Sequence, residues 1–193
     1  MLTRSRILIG VAAVGLLATL VLPLWRINLI APQYPEGLGM KIWAHQITGD
    51  LRSINGLNHY IGMKEIHPEA IPELRLMPVI VASLAGLGLL AAIWGRRSGL
   101  AVWCALLLVA SLAGLVDFWR WGYDYGHNLD QTAAIKIPGM SYQPPLFGSK
   151  KLLNFTAVSL PDLGGWIAMA ILLVAFVVVV TEVRRGRAAA PAA

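Results

Sequence analysis

The sequence predicts an all-α membrane protein with four transmembrane helices, in which two long extracytoplasmic loops form a small cap with room for short β-strands. The first observation is composition: 57% of the 193 residues are hydrophobic and only 13% are charged, whereas a soluble domain has about 25% charged residues. The second is that the apolar residues form four blocks, each near the length of about 20 residues that spans a bilayer. The third is that arginines are concentrated in the short segments next to these blocks.

The first two spans enclose the first long loop. Residues 1–6 are a short basic start, and residues 7–24 are predicted to be an uncleaved first span, because the apolar run is long for a signal peptide and lacks a clear cleavage site. A cleaved signal peptide is the alternative. Residues 25–76 form the loop, in which residues 38–48 have a strand-like pattern. Residues 77–94, rich in Ala, Gly and Leu, form the second span.

The last two spans enclose the second long loop. Residues 95–99 are a short basic turn, so the second span and the third, at residues 100–116, make a tight helical hairpin. The remaining predicted segments are a second long loop at 117–160, which includes a short strand at 132–137, a fourth span at 161–181 and a basic tail at 182–193.

Orientation follows from the distribution of arginine. The start, the short turn and the tail together contain seven arginines, a much higher density of basic residues than in the two long loops. Because basic residues concentrate in short cytoplasmic segments, both termini are predicted to be cytoplasmic and both long loops extracytoplasmic. This topology accounts for the net charge of +6, which therefore requires no nucleic-acid partner.

The spans lack the residues that several functional classes need. Their interiors contain no histidine, lysine, arginine or glutamate, which argues against an ion-coupled transporter and against a haem held by two histidines between the helices. The single cysteine, Cys104, excludes a disulfide or a thiolate metal cluster within one chain. No catalytic-triad order, paired-carboxylate spacing, phosphate loop or HExxH motif is present, so we do not expect an enzyme.

The predicted loops contain all four histidines and several methionines. Imidazole and thioether ligands together suit copper, and thioethers favour Cu(I). His59 and Met63 are four residues apart, and residues 57–64 suit two helical turns, so both side chains would share one helical face. The candidate metal ligands are His59, Met63 and His67 in the first loop, completed across the loops by His127, Met140 or Met40.

Each of these groups also has a structural interpretation. His59 and Tyr60 would hydrogen-bond the loop backbone, and Met63 would fill a small apolar core. The aromatic run at residues 118–125 would anchor the chain at the level of the lipid headgroups. Alternatively, this run is a partner-binding surface, formed by Trp119, Trp121, Tyr123 and Tyr125.

Two stretches of the first loop, APQYPEGLGMKIW and GDLRSINGLNHYIGMKEI, resemble a family of small multi-pass membrane proteins encoded in bacterial gene clusters for nitrous oxide reductase, a copper enzyme. The resemblance is strongest over residues 23–78. It implies a non-catalytic accessory role in the bacterial inner membrane, with an exported copper enzyme or other membrane assembly proteins as partners. The ligands it would use here are His59, Met63 and His67.

The resulting hypothesis is copper handling, or assembly support, for an exported copper enzyme of the nitrous oxide reductase type. Copper is the expected cofactor, and the lipid bilayer is an expected partner. The first alternative is a scaffold that binds no metal and docks a membrane partner through the aromatic run. The second is a quinol- or haem-interacting respiratory subunit that uses His45 or His127 as a ligand.

Overall fold

The computed structural model describes residues 1–188, and over this range the chain is a mixed α/β protein with five α-helices and one five-stranded antiparallel sheet. The helices are α1 Thr3–Ala18, α2 Leu51–Ile61, α3 Glu73–Trp94, α4 Arg97–His127 and α5 Leu163–Ala188. The strands are β1 Trp25–Ala31, β2 Tyr34–Ile42, β3 Ile47–Gly49, β4 Gly148–Leu152 and β5 Phe155–Pro161, in the order β3-β2-β1-β5-β4. The all-α prediction is therefore wrong.

The prediction of four spans is also wrong. In the part of the chain that the structure describes, three helices, α3, α4 and α5, are long and apolar enough to cross a membrane. Helix α1 has 16 residues and is roughly 24 Å long at 1.5 Å per residue, which is shorter than a hydrocarbon core of about 30 Å. It ends early because Thr19 and the residues after it form tighter turns, and Pro23 then disfavours helix at the residue before it.

The helices form one apolar layer. Helices α1 and α4 each pack against both α3 and α5. At the centre, the indole N–H of the buried Trp103 donates to the carbonyl oxygen of Leu84 at 2.8 Å. Gly88 makes room for this indole, because a Cβ there would lie 2.7 Å from the Trp103 ring and 2.8 Å from Ala13.

A buried carboxylate joins three helices at one end of this layer. Glu182 of α5 is 1% exposed and accepts hydrogen bonds from the Leu2 backbone N–H at 2.9 Å and from the Ser5 hydroxyl at 2.6 Å. Its second oxygen is 3.3 Å from Nε of Arg97, at the start of α4. The chain's start, the turn before α4 and the end of α5 therefore meet at one end of the bundle.

The sheet lies at the opposite end and joins the two predicted loops. Strand β1 pairs with β2 on one side and with β5 on the other, with Trp25 opposite Pro161. The sheet is joined directly to the helices. The Gly164 N–H, in the first turn of α5, donates to the carbonyl of Pro23, just before β1, at 2.9 Å. The strand predicted at 132–137 is irregular chain, whereas β4 and β5 form where none was predicted.

Helix α4 extends beyond the predicted third span. Its 31 residues make it roughly 46 Å long, longer than the about 30 Å that a bilayer core requires. Its last turns, residues 117–127, pack against the sheet, where the Phe118 and Trp25 rings meet edge to face at 5.4 Å. We call the sheet, α2, residues 117–127 and their connecting segments the cap.

Candidate functional site

The cap contains a partly open cavity of about 60 Å³ between the sheet, α2 and the end of α4. Strand side chains such as Ile27 and Leu29 form one wall, and Ile54 and Leu57 of α2 form another. The thioethers of Met40 and Met63 and the amide or hydroxyl groups of Asn58, Tyr125 and Tyr142 interrupt this apolar lining.

The end of α2 determines where Met63 points. Gly62 has a left-handed backbone with φ of 79°, which glycine adopts without the steric cost that a Cβ brings. Its N–H bonds the carbonyl of His59 at 3.4 Å, and the Met63 N–H bonds the carbonyl of Asn58 at 2.9 Å. These two bonds form a Schellman motif, which ends the helix and turns the chain away from its axis. Met63 is thereby half-buried and lines the cavity.

The structure does not bring the three first-loop candidates together. His59 is exposed on α2, and because the helix ends at Ile61, His59 and Met63 do not share a helical face. His67 is also exposed, and its ring lies between two carboxylates, with Nε2 at 3.2 Å from Glu65 and Nδ1 at 3.6 Å from Glu69. A metal ion would have to displace a carboxylate to reach either nitrogen of His67.

The candidates from the second loop are also separate. His127 ends α4, its ring stacks on Tyr123 with centroids 4.0 Å apart, and its Nδ1 is 3.0 Å from the Tyr123 carbonyl. Since a carbonyl only accepts, Nδ1 donates in this contact, and Nε2 is the ring nitrogen left for a metal ion. Met140 is half-buried in irregular chain. Between residues 1 and 188 no group of three or more His, Cys, Asp or Glu side chains is arranged to hold a metal.

The aromatic run divides between two faces of α4. Trp121 and Tyr125 point inward, stack with centroids 4.2 Å apart and line the cavity. Trp119 and Tyr123 are 47% and 45% exposed and form an outward row with His127. Of the four predicted partner-binding residues, Trp119 and Tyr123 are exposed, whereas Trp121 and Tyr125 are half-buried.

Two glycines allow close backbone contacts, one within the second predicted loop and one between the two loops. A Cβ on Gly126 would collide with the backbone of Gln143, and the carbonyl of Gly126 accepts from the Tyr142 N–H at 2.9 Å. The carbonyl of Gly62 likewise accepts from the Asp130 N–H at 2.8 Å. The backbone N–H and the hydroxyl of Thr132 hold the pKa of the Asp130 carboxyl below its usual value, because both stabilise its charged form.

One polar atom in the cavity lining stands out. Tyr142 is 2% exposed, and within the described range its hydroxyl has no hydrogen-bond partner. Sequence reasoning missed both Tyr142 and Asn58, because neither belongs to a spaced motif and only the folded cap brings them beside Met40 and Met63. No protein-family model and no curated protein matches the chain.

Proposed function

We propose that the protein is a non-catalytic accessory protein that handles Cu(I) for an exported copper enzyme. The observation that supports this proposal best is where the donor groups lie. All four histidines belong to the cap, together with three methionines, Met40, Met63 and Met140. Thioether and imidazole groups are the side chains that suit copper, and the resemblance of the first loop points to the same chemistry.

The arrangement of the bundle supports a particular orientation for this role. The arginines near the start, near the turn before α4 and near the end of α5 belong to segments that meet at the end away from the cap. In this proposal that end faces the cytoplasm of a bacterial inner membrane, following the positive-inside rule. The cap then lies outside, where an exported enzyme acquires its copper.

Exposed imidazoles would hold copper and still release it to a partner. The ring of His127 is oriented by the contact between Nδ1 and the Tyr123 carbonyl, so that Nε2 is the nitrogen that would bind the ion. His59 is exposed on α2, also in the cap. A copper ion held by few ligands exchanges readily with a partner's ligands, so delivery would need no chemical step in this protein.

Metal retention by the full-length protein in detergent tests the proposal. The protein is loaded with Cu(I) under reducing, anaerobic conditions, desalted, and measured by mass spectrometry, with a Zn²⁺-loaded sample as the control. We expect stoichiometric copper and less zinc, because the thioethers in the cap favour Cu(I) and are not usual zinc ligands. Folded protein that retains no copper would contradict the proposal.

A metal-free scaffold is the second candidate function, and the outward row of Trp119, Tyr123 and His127 favours it. A row of three ring side chains on an exposed helix face resembles the aromatic anchors of protein interfaces. Cross-linking in membranes to co-expressed assembly proteins, followed by the Trp119→Ala/Tyr123→Ala double variant, tests it. Trp166→Ala is a matched control, because Trp166 is 50% exposed but lies on α5. Cross-linking that survives both sets of changes would reject the docking face.

A further inference from the structure

The face of the sheet that points away from the cavity is open. Ile27 and Leu29 of β1 line the cavity. Successive residues of a strand point to opposite faces, so Arg26, Asn28 and Ile30 lie on the other side. All three are exposed, although β1 is the central strand of the five. Within residues 1–188 nothing therefore covers this side, which we call the outer face of the sheet.

Two cations lie side by side on the outer face. Arg26 of β1 is directly opposite Lys41 of β2, and such residues of an antiparallel pair have Cβ atoms about 4.5–5.5 Å apart. Both side chains are exposed, and neither forms an ion pair with a carboxylate in the part of the chain that the structure describes. Like charges placed in this way repel each other, so an anion bound between them would offset a cost that the sheet otherwise carries.

A hydroxyl extends this pair of cations onto the next strand. Thr48 of β3 is directly opposite Lys41, and its side-chain oxygen accepts from the indole N–H of Trp43 at 2.8 Å. This bond leaves the hydroxyl hydrogen of Thr48 for another acceptor. The Asp50 carboxylate is on the same face, but it accepts from the Gly39 N–H at 2.8 Å. Three neighbouring strands thus present two positive charges and one hydroxyl donor in line.

This line of residues lies where the sheet joins the helices. On its other side Arg26 is opposite Leu160 of β5, and α5, which is apolar enough to cross a membrane, begins at Leu163. At about 3.3 Å per residue, the line is within about 10 Å of that start. The exposed Trp166 in the first turn of α5 is a residue type that marks the boundary between lipid and water. Since the headgroup layer is roughly 5–7 Å thick on each side of the bilayer, long cationic side chains here reach the lipid phosphates.

We propose that Arg26, Lys41 and Thr48 bind the phosphate of an anionic phospholipid at the membrane surface. A guanidinium offers two parallel N–H donors to a phosphate, and an ammonium adds a compact charge. A zwitterionic headgroup would bring its own cation next to the two of the protein, so an anionic headgroup is favoured. The acyl chains remain in the bilayer beside α5 and keep the phosphate at a high local concentration, which a soluble anion lacks. The inference concerns the side of the sheet away from the cavity and is independent of copper.

Cross-linking from the lipid headgroup tests the proposal. The full-length protein is placed in phosphatidylcholine nanodiscs that contain a minor fraction of phosphatidylglycerol with a photoreactive headgroup, and adducts are located by peptide mass spectrometry. Arg26→Gln/Lys41→Gln removes both charges, whereas Arg26→Lys/Lys41→Arg keeps them. Lys64→Gln/Lys136→Gln is the matched control, because it removes two exposed charges from the α2 and α4 side of the cap. Circular dichroism checks that each variant is folded.

We expect adducts on peptides from residues 41–48 in the wild type, in the control and in the charge-preserving variant. In the double glutamine variant we expect at least a fivefold loss. Equal labelling of this region in all four proteins, or labelling confined to the arginine-rich end of the bundle, would overturn the proposal. Soluble glycerol phosphate is added in a parallel sample, and if it abolished labelling at concentrations comparable to the lipid, the site would be one for a soluble anion and the lipid assignment would be wrong.

Discussion

The backbone N–H of Met63 donates to the carbonyl oxygen of Asn58 at 2.9 Å, and this bond decides which way the Met63 side chain faces. It closes α2 after Ile61, so that the chain leaves the helix at Gly62 and Met63 faces the cavity. A continuous helix would instead have carried Met63 around to the face of His59, four residues earlier. The separation of the histidines from the cavity is thus a consequence of one helix end.

Gly62→Ala is expected to lower the free energy of unfolding by roughly 1–3 kcal/mol. The residue has a φ of 79°, which strains any side chain, and its Cβ would lie 2.8 Å from the Asp130 carbonyl oxygen. Thermal or denaturant unfolding in detergent, followed by circular dichroism, measures the change.

Gly56→Ala is the matched control, since Gly56 lies inside the same helix and a Cβ there would meet nothing within 4 Å. Alanine is the better helix former, so this change is expected to raise the free energy of unfolding by about 0.5–1 kcal/mol. If both variants unfolded alike, the conformation assigned to Gly62 would be incorrect.

Gly126→Ala is expected to separate irregular residues 142–145 from α4. A Cβ at Gly126 would collide with the Gln143 backbone, and we expect a cost of roughly 1–3 kcal/mol together with faster proteolysis of residues 128–147. Gly114→Ala serves for comparison, because Gly114 lies in the same helix with open space around it. Equal proteolysis of the two variants would contradict this close packing.

The apolar pattern predicted α3, α4 and α5, the helices long and apolar enough to cross a membrane, but it did not locate the end of α4. Asp117 and Arg120 interrupt the pattern, so the third span was predicted to end at 116, although the helix continues to His127. The aromatic residues after Asp117 face the sheet and solvent in turn, at the spacing of a helix. This spacing was visible in the sequence and could have predicted that the helix continues. Hydrophobicity marks the lipid-facing length of a helix, whereas the sheet contacts of the cap support the remainder.

The sheet and the cavity were beyond sequence reasoning for a different reason. Strands β1 and β5 pair across more than a hundred residues, and neither strand shows a hairpin signal toward the other. The sequence of the edge strand β4 resembles a loop because it contains Lys150 and Lys151, although charged residues are common on edge strands. Met40, Met63 and Tyr142 line the same cavity only because this long-range pairing forms. Local spacing in the sequence therefore favoured the histidines as candidate ligands instead.

Glu182→Ala is expected to destabilise the bundle by roughly 1–3 kcal/mol. The carboxylate is buried and accepts hydrogen bonds from Leu2, Ser5 and Arg97, so its loss leaves the buried Ser5 hydroxyl without a partner. Lys64→Ala provides the contrast, because the Lys64–Asp124 pair is short at 2.6 Å but 51% and 43% exposed. Such a pair contributes at most about 1 kcal/mol. A larger effect at Lys64 than at Glu182 would contradict this ranking by burial.

Tyr142→Phe is expected to stabilise the metal-free protein, which is unusual for a change in a core. The hydroxyl is buried without a partner, and leaving such a group unsatisfied costs about 1–3 kcal/mol. Its removal should therefore raise the unfolding free energy by about 1 kcal/mol without opening a large void. Tyr60→Phe is the control, because Tyr60 is 58% exposed and its hydroxyl contacts solvent. If Tyr142→Phe destabilised the protein while Tyr60→Phe did not, the Tyr142 hydroxyl would have a hydrogen-bond partner, and its assignment as unsatisfied would be incorrect.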